Sequence, residues 1–128
     1  MKHVCTIGIG SNINPEENIE NALKILREEN DVVAVSAFIK TAPEGIPDQP
    51  DFLNGAAKVV TDKDMNALKD YLKEVEDRLK RDRSVEKYGP RSIDLDIVVW
   101  DGEIIDQDYY QRDFLKKVVD EIAWISSQ

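Results

Sequence analysis

The sequence predicts an α+β fold, an antiparallel sheet with helices packed on it, followed by a short hairpin arm and a C-terminal helix. Three observations lead there. Runs rich in β-branched and other apolar residues near positions 4–11, 32–41, 52–61 and 93–100 are interleaved with two segments whose apolar residues recur every three or four positions. Turn-forming residues separate them: Gly10-Ser11-Asn12, Asn30-Asp31, Gly89-Pro90 and Asp101-Gly102. At 128 residues and 41% apolar, the chain can bury a core, and residues 1–128 are read as a single domain.

The first strand is Val4 to Ser11. Asn14-Pro15-Glu16-Glu17 reads as a helix start, with asparagine at the cap, proline at the first helical position and glutamate at the third. Ile19, Ala22, Leu23 and Leu26 form the apolar stripe of that helix. Val32 to Thr41 is the second strand. Ala42 to Asp51 carries three prolines and a glycine and reads as a loop, long enough to suggest function. Phe52 to Thr61 is the third strand. Asp62 or Asp64 caps a second helix with the stripe Leu68, Tyr71, Leu72, Val75 and Leu79. A basic stretch at 80–88 leads to the Gly-Pro turn and the fourth strand. Asp101-Gly102 then signals a hairpin, with Glu103-Ile104-Ile105 returning. Leu115, Val118, Val119, Ile122 and Ile125 make a last amphipathic helix. The βαββαβ order predicts a ferredoxin-like antiparallel sheet with its helices on one face.

Charge and cysteine content narrow the function classes. The formal net charge is −9, from 26 acidic and 17 basic side chains. Nucleic-acid binding rests on basic surface, so no nucleic-acid partner is expected. No apolar run approaches the roughly 20 residues of a membrane span, so no membrane partner is expected either. Cys5 is the single cysteine and has no intramolecular partner, which suits a reducing, cytoplasmic location; its place in a strand reads as core. The one histidine, His3, is read as a surface residue. Gly8-x-Gly10 has no following Gly-Lys-Ser/Thr and is not read as a phosphate loop; glycines in a strand more often admit a helix or ligand.

The most informative stretch is Gly89-Pro90-Arg91-Ser92-Ile93-Asp94-Leu95-Asp96-Ile97-Val98-Val99-Trp100. Alternation along a strand puts Asp94 and Asp96 on one face and Ile93, Leu95, Ile97 and Val99 on the other. Two carboxylates side by side repel, and a divalent cation, or two, relieves that repulsion. Hard cations such as magnesium take oxygen ligands and complete their shell with phosphate oxygens and water. The planar fork of a nearby arginine matches phosphate. The segment reads as a metal-assisted phosphoryl-transfer site.

Four segments together resemble the 6-hydroxymethyl-7,8-dihydropterin pyrophosphokinase family of folate biosynthesis. They are Ile7-Gly8-Ile9-Gly10-Ser11-Asn12; Thr41-Ala42-Pro43 with Asp48-Gln49-Pro50-Asp51-Phe52-Leu53-Asn54; Glu76 with Arg81 and Arg83; and Gly89 to Asp96. The resemblance implies transfer of pyrophosphate from ATP to the hydroxymethyl group of the pterin. It implies that Asp94 and Asp96 bind two magnesium ions bridging the ATP phosphates. Arg81, Arg83 and Arg91 would hold phosphates, and Glu76 would sit near the nucleotide. Thr41, Pro43 and Gly45 would meet the pterin largely through backbone groups, Phe52 would lie against its face, and Asn54 would bond its polar edge. Arg112 and Phe114 have the spacing of the family's arginine and second stacking aromatic. The partners implied are small molecules, pterin and ATP, and the chain is read as a monomer.

The chain departs from the family pattern after the hairpin. Asp106 to Phe114 replaces a longer segment with a Pro-His pair, and Asp113 replaces a glycine, placing negative charge near the substrates. Two readings compete: an active pyrophosphokinase, and a relative that binds nucleotide or pterin without efficient transfer. A small binding domain unrelated to folate is the third.

Overall fold

The structure, a computed structural model, describes residues 1–43, 48–79 and 92–124. Among the described residues ten elements succeed one another: β1 (His3–Ser11), α1 (Pro15–Glu29), β2 (Asp31–Val35), β3 (Ile39–Thr41), β4 (Phe52–Thr61), α2 (Met65–Arg78), β5 (Asp94–Trp100), β6 (Glu103–Ile104), α3 (Asp108–Gln111) and α4 (Asp113–Ile122). The six strands form one sheet in the order β2-β4-β1-β5-β6, with β3 also paired to β4, and every pairing is antiparallel.

Most elements lie where side-chain patterning placed them, and the caps differ in detail. Asp64 caps α2, its side chain accepting the N–H of Ala67 at 2.8 Å. Asn14 caps α1 from a left-handed conformation (φ 41°), and its side chain makes no cap bond. Pro15 at the first helical position nonetheless leaves no N–H to satisfy there. The expected second strand is broken into β2 and β3. Between them Ser36 accepts the N–H of Ala56 on its hydroxyl, and Phe38 turns onto Gly55, where a Cβ would fall 2.5 Å from the ring. Asp101 (φ 47°) and Gly102 (φ 85°) make the tight turn between β5 and β6.

The two faces of the sheet carry separate cores. Ile7, Ile9, Ala57, Val59, Leu95 and Ile97 pack with Ile19, Leu23 and Leu26 of α1 and Leu68, Leu72 and Val75 of α2. Ala56 and Val98 point the other way and pack with Val118, Val119 and Ile122 of α4. α1 and α2 therefore share one face of the sheet, and α4 covers the other. The apolar stripe of α4 needs a partner, and the side of the sheet that α1 and α2 leave bare supplies it.

A register irregularity between Thr6 and Ile7 of β1 lets Ile7 pair with Ile97 while Thr6 pairs with Val99. The residue skipped, Val98, is a bulge, and a bulge reverses the facing of the residues beyond it. Val99 was expected beside Ile97; it lies instead in the α4 core with Val98.

Candidate active site

The α4 face of the sheet holds a cavity of about 450 Å³. Its floor comes from Gly8, Ile9 and Gly10 of β1 and Asp94, Asp96 and Val98 of β5. Thr41, Phe52 and Asn54 form one wall, and Asp106, Asp108, Arg112, Phe114 and Leu115 form the other.

The floor is a consequence of strand pairing. Gly10 lies opposite Asp94 and Gly8 opposite Asp96 in the β1–β5 ladder. Cross-strand partners share a face, so each carboxylate has a neighbour with no side chain. A Cβ at position 8 would press on Leu115 Cδ1 at 3.3 Å, and one at position 10 would fall 2.7 Å from Asn54 Oδ1. The glycines thus clear the space in front of the acid pair and admit the Asn54 amide.

Phe52 and Asn54, two apart on β4, both reach the cavity, while Leu53 packs against the main core. Asn54 Nδ2 donates to Thr41 Oγ1 at 2.6 Å, which holds the amide against β3. The opposite wall depends on the α3–α4 corner. Arg112 sits between the two helices in an extended conformation (φ −124°), its N–H bonded to the Asp108 carbonyl. Tyr109 donates its hydroxyl to Asp120 at 2.6 Å, and Asp120 also accepts from Lys116 and Trp124. That network ties α3 to α4 and sets Arg112 and Phe114 at the cavity. Phe114 is half-buried, lines the cavity and is part of neither core cluster. Asp113 lies exposed in the first turn of α4 and does not line the cavity.

The cavity is electrostatically acidic. Asp94, Asp96, Asp106 and Asp108 line it, and among the described residues Arg112 is the one cationic side chain that does, its Nε 3.6 Å from Asp108. Asp96 has its proton affinity raised well above the ordinary carboxylate range. Desolvation by the cavity walls contributes most, then repulsion from Asp94, Glu76 and Asp106 and a hydrogen bond with Asp94. Its carboxylate opens to the cavity, yet protein surrounds it closely enough for the charge to be poorly solvated.

The donor set fits a hard divalent cation. Two carboxylates face one space, the glycines opposite leave it clear, and the pair is destabilised without a counter-charge. Among the described residues no group of three or more His, Cys, Asp or Glu converges as a metal site. A hard cation held by two carboxylates draws its other ligands from phosphate and water.

Of the residues expected at the site, Thr41, Phe52, Asn54, Asp94, Asp96, Arg112 and Phe114 line this one cavity. Pro43 is partly buried and does not line it. Gly45, Arg81, Arg83 and Arg91 lie outside the described residues. Glu76, expected near the nucleotide, is a buried residue of α2. It is 2% exposed, is not part of the cavity wall, and its Oε2 accepts the N–H of Leu95 at 2.8 Å. It is turned inward from α2 because it adjoins Val75 on the face that packs against the sheet. Sequence reasoning missed Asp106 and Asp108 as cavity residues. Their signal was a second Asp-x-Asp just after the hairpin, without a strand pattern to orient it. Asp106 accepts the N–H of Asp108 at 2.9 Å, which starts the turn into α3.

A profile of the 7,8-dihydro-6-hydroxymethylpterin-pyrophosphokinase (HPPK) family matches residues 6–124. The chain is 35% identical to the 2-amino-4-hydroxy-6-hydroxymethyldihydropteridine pyrophosphokinase of Haemophilus influenzae, over 91% of this chain and 79% of that protein. It is 34% identical to the protein of the same name from Bacillus subtilis, over 83% of this chain and 65% of that one. It is also 35% identical to the folate synthesis bifunctional protein of Arabidopsis thaliana, over 73% of this chain and 20% of that longer protein. A profile match spanning nearly all of the described residues, together with a cavity that gathers the expected aromatic, amide and carboxylate side chains, leads to one conclusion: this chain belongs to the HPPK family.

Proposed function

We propose that this chain transfers pyrophosphate from ATP to 6-hydroxymethyl-7,8-dihydropterin within this cavity, with Asp94 and Asp96 as the cation-holding pair. Pyrophosphate transfer to the hydroxymethyl pterin in folate synthesis is the family's reaction, and family membership supports it here. The single observation that carries the site is convergence: two aromatic rings, one amide and two adjacent carboxylates, drawn from three separate elements, face the same space.

Phe52 and Phe114 offer aromatic faces to a flat heterocycle, and Asn54, held by Thr41, offers fixed hydrogen-bonding atoms to its polar edge. This orients the pterin with its hydroxymethyl group toward Asp94 and Asp96. Arg112 contributes positive charge for phosphate, with Arg81, Arg83 and Arg91 proposed as further phosphate ligands. In the transfer, the hydroxymethyl oxygen bonds to the β-phosphorus, the bond from that phosphorus to the bridging α–β oxygen breaks, and AMP leaves; the hydroxyl proton passes to solvent. When bound, two magnesium ions would neutralise the triphosphate and help deprotonate the alcohol. The chain's own share is orientation and water exclusion by the cavity walls.

This reading takes residues 1–128 as one domain acting as a cytoplasmic monomer. It takes the sheet as ferredoxin-like, supported by the order β2-β4-β1-β5. Among the described residues no helix is long and apolar enough to cross a membrane. Incubation with ATP, magnesium and the pterin should yield AMP and the pterin pyrophosphate. Tight binding of both substrates without AMP would select the binding-only reading instead.

A further inference from the structure

Glu76 is the buried carboxylate of α2; Asp70, Glu74 and Asp77 on the same helix are exposed. Burying a carboxylate is costly and is seldom kept for stability alone. Here its Oε2 receives a backbone N–H from another element, that of Leu95, in a fully buried contact at 2.8 Å. Leu95 is the residue between Asp94 and Asp96.

The contact closes a gap in the sheet. On one side β5 is laddered to β1 through Asp94↔Gly10, Leu95↔Ile9 and Asp96↔Gly8. On the other, β6 reaches only Val99 and Trp100. Among the described residues no strand covers the outer edge of β5 at Asp94–Ile97, and an open edge leaves N–H groups unpaired. Leu95 turns its N–H to that edge, and Glu76 receives it. In an antiparallel ladder bonded and non-bonded pairs alternate, so β5 is held by β1 on one edge and by Glu76 on the other at adjoining residues; twist at Leu95 would swing both neighbouring carboxylates.

We propose that Glu76 is a positioning residue: by accepting the Leu95 N–H it fixes the outer edge of β5, so that Asp94 and Asp96 are aimed together at the cation site. This rests on the reading of Asp94 and Asp96 given above. What matters is an acceptor at glutamate length. Glutamine retains one; aspartate keeps the charge but withdraws it by a methylene, and leucine removes it.

The test uses Glu76→Gln, Glu76→Asp and Glu76→Leu. Three quantities are read: Mn²⁺ binding with a non-hydrolysable ATP analogue by electron paramagnetic resonance, pterin binding by fluorescence, and exchange of the Leu95 amide proton by NMR. Glu76→Asp and Glu76→Leu should weaken Mn²⁺–nucleotide binding about tenfold and speed Leu95 exchange about tenfold or more, with pterin affinity within about twofold of wild type. Glu76→Gln should stay within about threefold of wild type on all three. The proposal is overturned if Glu76→Asp binds Mn²⁺ normally, if aspartate rescues and glutamine does not, or if pterin and cation binding fall together. A wild-type protein that binds no Mn²⁺–nucleotide would overturn the reading of the aspartates and this proposal with it. Normal wild-type binding with unaffected variants overturns this proposal alone.

Discussion

Gly10 of β1 lies directly across the ladder from Asp94 of β5, and the space its missing side chain leaves is partly taken by the amide of Asn54. One glycine therefore serves two parts of the cavity: room before a carboxylate, and room for the amide proposed to read the pterin.

Gly10→Ala should damage recognition more than folding. Its Cβ would come 2.7 Å from Asn54 Oδ1, so the amide must move and its 2.6 Å bond to Thr41 must break or bend. Pterin affinity should fall about tenfold, roughly 1.4 kcal/mol. Calorimetric titration checks it; unchanged affinity would show that Asn54 does not contact the ligand.

Asp96→Ala should separate stability from activity. Removing one of two repelling carboxylates relieves a destabilised pair, so the metal-free variant should melt no lower than wild type. AMP formation should drop on the order of a hundredfold or more, since the cation contributes several kcal/mol to stabilising the transition state. Wild type should gain thermal stability from magnesium with an ATP analogue, and the variant should not. A variant that retains AMP formation refutes the role given to Asp96.

Phe114→Ala should weaken pterin binding about tenfold and leave the melting temperature nearly unchanged, because the ring lies outside both cores. A large loss of stability would instead assign Phe114 to structure.

The α1–α2 contact should give an acid-sensitive step remote from the cavity. The carboxylate of Glu29 is held below its ordinary pKa, first by the Arg78 guanidinium and then by the Tyr71 hydroxyl. A lowered carboxylate pKa means that the unfolded chain binds the proton more readily. This stabilisation is therefore complete above the unfolded value of ~4.3 and is lost as pH falls through the lower folded one. Melting temperature should fall more steeply below about pH 4 in wild type than in Glu29→Gln. Equal slopes would mean that the pair is too solvated to count.

Cys5 should be chemically silent in the native protein. Burial first, and Asp101 second, push its thiol up to about 12. A thiol reagent at neutral pH should label it only after denaturation, and rapid native labelling would show that β1 opens.

Much of the fold and the site was legible residue by residue. The alternation in Phe52-Leu53-Asn54 and Asp94-Leu95-Asp96 already says which side chains share a face, because a strand's period is fixed by covalent geometry. The stripes of α1 and α2 are local in the same way. Other features arise only when distant segments meet. Val98 and Val99 look like a plain continuation of β5, and only pairing with Thr6 and Ile7 of β1 reveals the bulge that turns Val99 to the other face. Glu76 looks like one more charge on a charged helix until the chain closes and Leu95 presents its amide.

The sequence by itself determined the order of the main strands and helices, the common facing of Asp94 and Asp96, and the family. These depend on side-chain periodicity and on residues adjacent along the chain. The tertiary structure alone decided that α4 covers the face opposite α1 and α2, that Asp106 and Asp108 join the cavity, and that Glu76 meets the Leu95 N–H at the outer edge of β5. Those outcomes depend on which buried surface remained uncovered and which backbone groups remained unpaired after packing, and neither quantity exists until segments far apart in the chain are brought together.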